Sequence, residues 1–226
     1  MSRGLGDVYK RQDYSYASGC GAFSLSTWSY REDYIQLAGI SPKVFPEIIP
    51  SDGIVGEITQ EASDETGLPM GVKVVCGGVD NSCMALGAKG IVDGRIYTSL
   101  GSSAWIALIS ERPVLDFKYK PYVFAHVIKG MYTSATCIFS AGLSQQWVRN
   151  TFCTDLLERE KSGEADAYEL MNRLAETSVP GAHGILFNPS LAGGSMMEPI
   201  PQMTGAFFGL KLEHTRADIL LSLIHI

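Results

Sequence analysis

The chain has 226 residues, with 18 Lys plus Arg against 24 Asp plus Glu, a formal net charge of −6, 46% hydrophobic residues and a mean hydropathy of +0.08. This composition is globular and long enough to bury a core without disulfide or metal staples, which excludes disordered and fibrous classes. No apolar run approaches the roughly 18 residues of a membrane span, and an acidic balance without a Lys/Arg stripe argues against nucleic acid and anionic membrane as partners; the expectation is a cytoplasmic protein.

The two ends do not read as protein. Back-translated with one choice of codons, Asp7 to Gln12 (DVYKRQ) is the reverse complement of Leu221 to Ile226 (LSLIHI). An inverted repeat of DNA bracketing a reading frame has no physical-chemical role in a polypeptide. It resembles a transposon-end sequencing adapter, so residues 1–12 and 221–226 are read as scars and set aside from fold reasoning. They carry Arg3, Lys10 and Arg11 against Asp7, so the remainder is more acidic than the whole.

Along Asp13 to Leu220 the elements follow from pattern. Asp13 to Trp28 mixes small and polar residues with Tyr14, Tyr16 and Phe23 and has no clean period. Arg31 to Ala38 predicts a short helix stopped by Gly39. Pro42, Pro46 and Pro50 break the next segment into extended pieces, and Gly53 and Gly56 punctuate an edge strand over Ile54 to Thr59. Glu61 to Gly67 predicts a helix closing on its glycine. Val72 to Cys76 (VKVVC) is β-branched and short, the signature of a buried strand. It runs into Gly77, Gly78, Val79 and Asp80, with a helix expected over Cys83 to Ala88.

After Gly90 the period changes. Gly94 to Ser110 predicts two strands around Gly101-Ser102-Ser103, and Tyr122 to Ile128 and Met131 to Ile138 predict two more. Gly142 to Phe152 has near-helical spacing, and Asp166 to Ser178 is the clearest amphipathic helix. Gly184 to Leu212 reads as a strand, a Gly/Met/Pro loop and a second short strand. Thr215 to Leu220 begins a helix that the scar interrupts. The sum is an α/β fold with a seam at residues 88 to 94.

Several residues could carry chemistry. Asp80 follows a strand and a glycine turn at the start of a helix. A carboxylate there can act as a general base on a substrate hydroxyl or serve only as a helix cap; both readings stand from the residues alone. Gly77 and Gly78 would let a ligand approach the backbone. Gly101, Ser102 and Ser103 offer amides and hydroxyls to a phosphate, or simply turn chemistry. Gly142 and Gln146 carry little signal individually. His126, His183 and His214 have no mutual spacing and are assigned structural roles. Trp28, Trp105 and Trp147 read as core or interface anchors. Cys20, Cys76, Cys83, Cys137 and Cys153 include no C-x-x-C pair and are expected to be reduced, mostly buried, small hydrophobes. No metal-ligand set is expected.

Taken in order, these pieces resemble the FGGY carbohydrate kinases, and among them the xylulokinase branch. The resemblance is carried by DYSYAS (13–18), TWSYREDYIQLAGI leading to FPEIIPS, and GEITQEASDETGLPMGVKVVCGGVDNSCMALGAKG. It continues through SLGSSAWIA (99–107), FSAGLSQQWVR (139–149), FNPSLAGG and TGAFFGLKLEHTRADI. It implies an actin-like ATPase (ribonuclease H-like) fold, with residues 13–90 the end of domain I and 91–220 the first part of domain II.

The resemblance also implies site roles. Asp80 would be the catalytic base and, with Asn81, a sugar contact. Gly101, Ser102 and Ser103 would form the second phosphate loop, with Ser102 replacing the family's usual Thr, and Gly142 and Gln146 would contact the nucleotide. ATP and Mg2+ would be the cofactors and a small sugar the substrate, with D-xylulose 5-phosphorylation expected first and another polyol, ketose or sugar acid as the sibling reading. A homodimer is left open for the full-length enzyme. A non-catalytic actin-like nucleotide-binding module is the reading from another class. The slice itself is expected to be inactive, because the family's first phosphate loop and adenosine motif lie outside it, and poorly soluble, because incomplete sheets would expose apolar faces and unpaired edges. The loop Leu191 to Pro199 departs from the family's G-E-R-x-P pattern and lacks its arginine.

Overall fold

The computed structural model describes residues 10–194, 200 and 202–223. The chain forms two compact units. Unit 1 comprises Met1–Tyr97, Ala107–Leu115 and Pro121–Ala135; unit 2 comprises Thr98–Ile106, Asp116–Lys120 and Thr136–Ile226. No helix among the described residues is long and apolar enough to cross a membrane.

Unit 1 begins with β1 (Arg11–Asp13), which runs into the single turn α1 (Tyr14–Ala17). A two-stranded ribbon follows, β2 (Phe23–Ser24) and β3 (Ser29–Tyr30), then α2 (Glu32–Leu37) and β4 (Glu47–Ile49). β1 and β4 pair in parallel, with Asp13 opposite Ile49. Arg11 and Gln12 thus sit in a strand, which asks mainly for backbone hydrogen bonds and little of side-chain identity. β5 (Ile54–Glu57), α3 (Gln60–Thr66), β6 (Lys73–Val75) and α4 (Asp80–Gly87) complete the first stretch.

Three expectations in unit 1 have clear physical causes. α2 stops at Gly39 and α3 at Gly67, both with left-handed φ, +70° and +74°, which glycine adopts without strain. α3 is capped by the Thr59 hydroxyl, which accepts the Ala62 N–H. β6 forms as expected but is not buried. Val72, Val74 and Val75 are exposed because β6 pairs only with β5 among the described residues, and neither face of a two-stranded ribbon is covered by that pairing.

Asp13, 1% exposed, collects the hydrogen bonds that hold this unit's turns. Its Oδ1 accepts the Tyr16 N–H at 2.9 Å; its Oδ2 accepts the Ser15 N–H at 3.0 Å, the Ser15 hydroxyl at 2.6 Å and the Ser51 hydroxyl at 2.7 Å. It is therefore at once the N-cap of α1 and the tie to the loop after β4. Beside it, Trp28 stands edge-on to Tyr14 and donates its indole N–H to the Tyr132 hydroxyl at 2.9 Å, the anchor role expected of it. His126 is fully buried; its Nδ1 accepts the Ile128 N–H, and burial holds the imidazole below its ordinary value.

β7 (Arg95–Leu100), β8 (Ala104–Ser110), β9 (Tyr122–Ala125) and β10 (Tyr132–Ile138) form one sheet in the order β7-β8-β10-β9. β7, β8 and β10 each begin in one unit and end in the other.

Unit 2 holds α5 (Gly142–Phe152), α6 (Thr154–Lys161), α7 (Ala167–Ala175), the antiparallel pair β11 (Leu186–Asn188) and β12 (Ala206–Phe208), and α8 (Arg216–Ser222). α5, α7 and the two strands fall where pattern placed them. α6 was not anticipated; TDLLEREK has only two apolar residues, too few for a period, and its Leu156 is buried by packing against the rest of the unit. The core is Val148, Cys153, Leu156, Leu170, Met171, Phe187, Leu220 and Leu223. α8 runs past Leu220 to Ser222, because leucine and serine continue a helix readily and Leu223 finds a place in that core.

The cysteines depart from expectation in one respect. None is in a disulfide among the described residues, but Cys20 and Cys83 are exposed, Cys76 and Cys137 half-buried, and Cys153 alone fully buried. Cys83 lies on a part of α4 that faces out, and Cys20 ends a turn; neither position offers apolar cover.

Asp218, 3% exposed, organises unit 2 as Asp13 does unit 1. It accepts the Ser178 hydroxyl at 2.5 Å, His183 Nδ1 at 2.8 Å and the Thr215 hydroxyl at 2.8 Å, and forms a capping box in which its carboxylate accepts the Thr215 N–H at 2.7 Å while its own N–H faces the Thr215 side chain. Those donors, the Ser178 hydroxyl first and then the Thr215 amide and His183, hold its carboxyl far below the usual carboxylate range. Because the folded value lies below the unfolded one, this stabilisation is whole above about pH 4 and is lost as the pH falls toward the folded value. Asp218→Asn should therefore lower Tm at neutral pH by several degrees and flatten the acid side of the Tm-against-pH curve. Parallel curves for the two proteins between about pH 2 and 5 would contradict this.

Candidate functional site

The turn from β6 to α4 is built by three features. Gly77 takes φ +74°, which a side chain would strain, and its N–H bonds the Ser51 carbonyl at 2.9 Å. Gly78 has no room for a side chain: a Cβ there would overlap Val127 Cγ1 and lie 3.0 Å from Ser15 Oγ and 3.3 Å from Asp13 Oδ2. Val79 is the N-cap of α4 and has no capping side chain; its N–H is accepted by Ser15 Oγ at 2.9 Å.

Asp80 is therefore the first residue inside α4. Its capping reading falls, since the cap position belongs to Val79. The carboxylate is exposed in the first turn, where the helix dipole favours negative charge, and its Oδ1 accepts the adjacent Asn81 N–H at 2.7 Å. Asn81 is half-buried, and its main-chain carbonyl accepts the Tyr97 hydroxyl at 3.3 Å. Ser82, fully buried, donates to the Ala125 carbonyl at 3.0 Å. Both sides of the Asp80 backbone are thus tied down while its side chain is exposed. A hollow of about 730 Å³ elsewhere in unit 1, lined by Tyr14, Trp28, Tyr30 and Phe45 among others, includes neither Asp80 nor Asn81.

Unit 2 brings Gly101, Ser102, Ser103 and Gly142 together but not Gln146. Gly101, Ser102 and Ser103 form the exposed β7–β8 tip, closed by the Gly101 N–H on the Ser103 carbonyl at 2.9 Å. The first two amides of α5 bind this tip: Gly142 N–H to Gly101 O at 2.9 Å and Leu143 N–H to Ser102 O at 3.2 Å. A Cβ on Gly142 would stand 2.6 Å from Gly101 O, so this close approach requires glycine. These two amides, normally an anion site at a helix N-terminus, are spent on holding the loop; an anion here would meet the loop itself. Gly101, Ala141, Gly142 and Gln145 line a cavity of about 500 Å³ with Asn172, Ala175 and Leu220. Gln146 is exposed and outside that lining; Gln145, which the sequence did not single out, is inside it.

The histidines keep structural roles, with one pairing the spacing did not reveal. His183 and His214 rings lie 6.4 Å apart, with His183 on Asp218 and His214 accepting the Lys211 N–H. No group of three or more His, Cys, Asp or Glu among the described residues could hold a metal ion. Of the loop Leu191 to Pro199, residues 195–199 lie outside the described residues.

The chain is thus a two-unit α/β protein, with an exposed carboxylate opening a helix in one unit and a small-residue loop in the other. Comparison with known proteins supplies the fold class, that of the actin-like ATPases, and the family. The family description "FGGY family of carbohydrate kinases, N-terminal domain" matches residues 5–87 and the corresponding C-terminal domain matches residues 96–225. The chain belongs to the FGGY family of carbohydrate kinases.

Among curated relatives, a gluconokinase of Bacillus licheniformis is 29% identical over 208 residues, covering 92% of this chain and 40% of the relative. A xylulose kinase of Staphylococcus epidermidis is 29% identical over 212 residues, covering 94% and 40%. The crystal structure of xylulose kinase from Rhodospirillum rubrum superimposes with a TM-score of 0.81 at 26% identity, covering 97% of this chain and 42% of that one. The chain thus spans about 40% of the length of the curated relatives it matches.

Gly78→Ala should cost about 1–3 kcal/mol of stability through overpacking against Val127. Adding Val127→Ala should recover part of that loss, as measured by denaturant unfolding. An unchanged midpoint in the single variant would show that the turn is not crowded.

Proposed function

We propose that the chain supplies the catalytic base and one phosphate loop of an ATP-dependent carbohydrate kinase. The observation that carries this reading is Asp80: an exposed carboxylate on a backbone secured at Val79 and Asn81, following a turn too tight for side chains. In this reading the Asp80 carboxylate takes the proton of a sugar hydroxyl while that oxygen attacks the γ-phosphorus of ATP in line and ADP leaves. Asn81 orients the sugar. Gly101, Ser102 and Ser103 hold phosphate oxygens, and Gly142 and Gln146 meet the nucleotide; Gln145, which lines the cavity with Gly142 while Gln146 does not, is a further nucleotide contact in this reading.

Mg2+ would supply charge neutralisation on the transferring phosphate. It keeps waters and binds through substrate phosphates and one or two carboxylates rather than an all-protein cage. No group of three or more His, Cys, Asp or Glu among the described residues could hold the ion and Asp80 is taken as the base, so the ion would be held by the nucleotide's phosphates and water rather than by this chain.

For the sugar, D-xylulose phosphorylated to D-xylulose 5-phosphate is favoured by the likeness to the xylulose kinase of Rhodospirillum rubrum, 26% identical over 97% of this chain. A sugar acid is the second reading, since the gluconokinase relative is 29% identical, as is the xylulose kinase of Staphylococcus epidermidis. A cytoplasmic location and, for the full-length enzyme, a homodimer accompany this reading.

In the full-length enzyme Asp80→Asn should lower kcat by about 100-fold or more, the scale of lost general-base catalysis, with the KM for ATP little changed. Undiminished sugar-dependent ADP release would remove Asp80 from the role of base. Comparing kcat/KM for D-xylulose and D-gluconate decides the substrate. The 226-residue chain by itself should produce no sugar phosphate from ATP; measurable turnover would show that its two units suffice.

A further inference from the structure

We propose that Asp13 and Ser15 are positioning residues for Asp80, acting through the main chain of Val79; this rests on the reading of Asp80 as the base. A serine hydroxyl has one proton to donate and lone pairs to accept with. At Ser15 the proton goes to Asp13 Oδ2 at 2.6 Å, a charge-assisted bond that sets the hydroxyl's rotation. With the proton so committed, the oxygen presents a lone pair to the Val79 N–H at 2.9 Å, across 64 residues of sequence.

The relay has no slack. Asp13 and Ser15 are each 1% exposed, and Asp13 Oδ2 is also held by the Ser51 hydroxyl and the Ser15 amide. Gly78 is pressed between Ser15, Asp13 and Val127, so the turn cannot drift toward the relay. On the far side, Ser82 is fixed to the Ala125 carbonyl. Val79 has no capping side chain of its own, so Ser15 supplies from outside the helix an acceptor that sequence-local capping does not provide. The residue that follows is Asp80. General-base catalysis depends on hydrogen-bond reach to the substrate hydroxyl, and a shift of about 1 Å costs on the order of 100-fold in rate.

The test is a double-mutant cycle in the full-length enzyme. Ser15→Ala should lower kcat roughly 10- to 100-fold with the KM values for sugar and ATP changed less than about 2-fold, because the phosphate loop and the sugar contacts other than Asp80 are untouched. Ser15→Thr, which keeps the hydroxyl, should recover most of kcat. In an Asp80→Asn background, Ser15→Ala should cause no further loss, since a badly placed base and an absent base are equally idle. A merely structural role for Ser15 would instead give the same fold-loss in both backgrounds and would overturn the proposal, as would an unchanged kcat in Ser15→Ala. If Ser15→Ala does not fold, Ser15→Cys, close in volume but a weak acceptor, carries the same expectations. Should Asp80→Asn itself retain full activity, the reading of the base fails, an outcome distinct from an inert Ser15→Ala beside a crippled Asp80→Asn.

Discussion

A buried carboxylate that must be satisfied governs the first unit. Taking an ionised aspartate out of water is costly unless hydrogen-bond donors replace the hydration shell. Asp13 meets that demand with four donors from three residues, and those donors come from the first turn of α1 and from the loop after β4. Satisfying the charge therefore fixes the chain. Ser15, once its proton is committed, can only accept, and the Val79 N–H of the turn before α4 is the donor it takes. The absence of a Cβ at Gly78 follows from the same crowding, and the exposed carboxylate of Asp80 sits one residue beyond the last bond of the series.

The second unit repeats the device with different parts. Asp218 is buried by the same logic and draws Ser178, His183 and Thr215 to it, joining the residues after α7 to the start of α8. Nearby, Arg216 forks onto Asp155 at 2.6 and 2.9 Å, but that pair is largely exposed and contributes geometry more than stability. The phosphate-loop candidate is held differently, by main chain on main chain. α5 gives its first two amides to the carbonyls of Gly101 and Ser102, which shapes the loop without using any side chain. A loop held this way tolerates Ser for Thr at its centre, because its geometry does not depend on that residue.

Much of the architecture was legible locally. Glycines at 39 and 67 end helices because they adopt positive φ without strain, and the helix read from Asp166 onward starts there, with Asp166 capping α7 through the Tyr168 and Glu169 amides. α6 was hidden because its helix is short and charged, and its place comes from Leu156 entering a core made by residues far along the chain. Burial was the least legible property. β6 has the composition of an interior strand and lies exposed, and four of five cysteines escape full burial, because burial is decided by what packs above a residue and not by its own side chain. Gln145 could not be distinguished from Gln146 by sequence; one helical position, 100° of rotation, separates a cavity wall from solvent.

The sequence by itself determined most of the elements after Trp28 other than α6, the α/β class and the family, since turn glycines, caps and hydrophobic periods act over a few residues and their succession is specific. It also nominated Asp80 and the Gly101–Ser103 loop. Only the tertiary structure decided that Asp80 is not a helix cap, that Ser15 reaches Val79, and that α5 clamps the loop. The first follows from where α4 begins, at Val79 as its cap, and the other two rest on hydrogen bonds between residues dozens of positions apart, which are set by where packing brings the backbone and which no local pattern encodes.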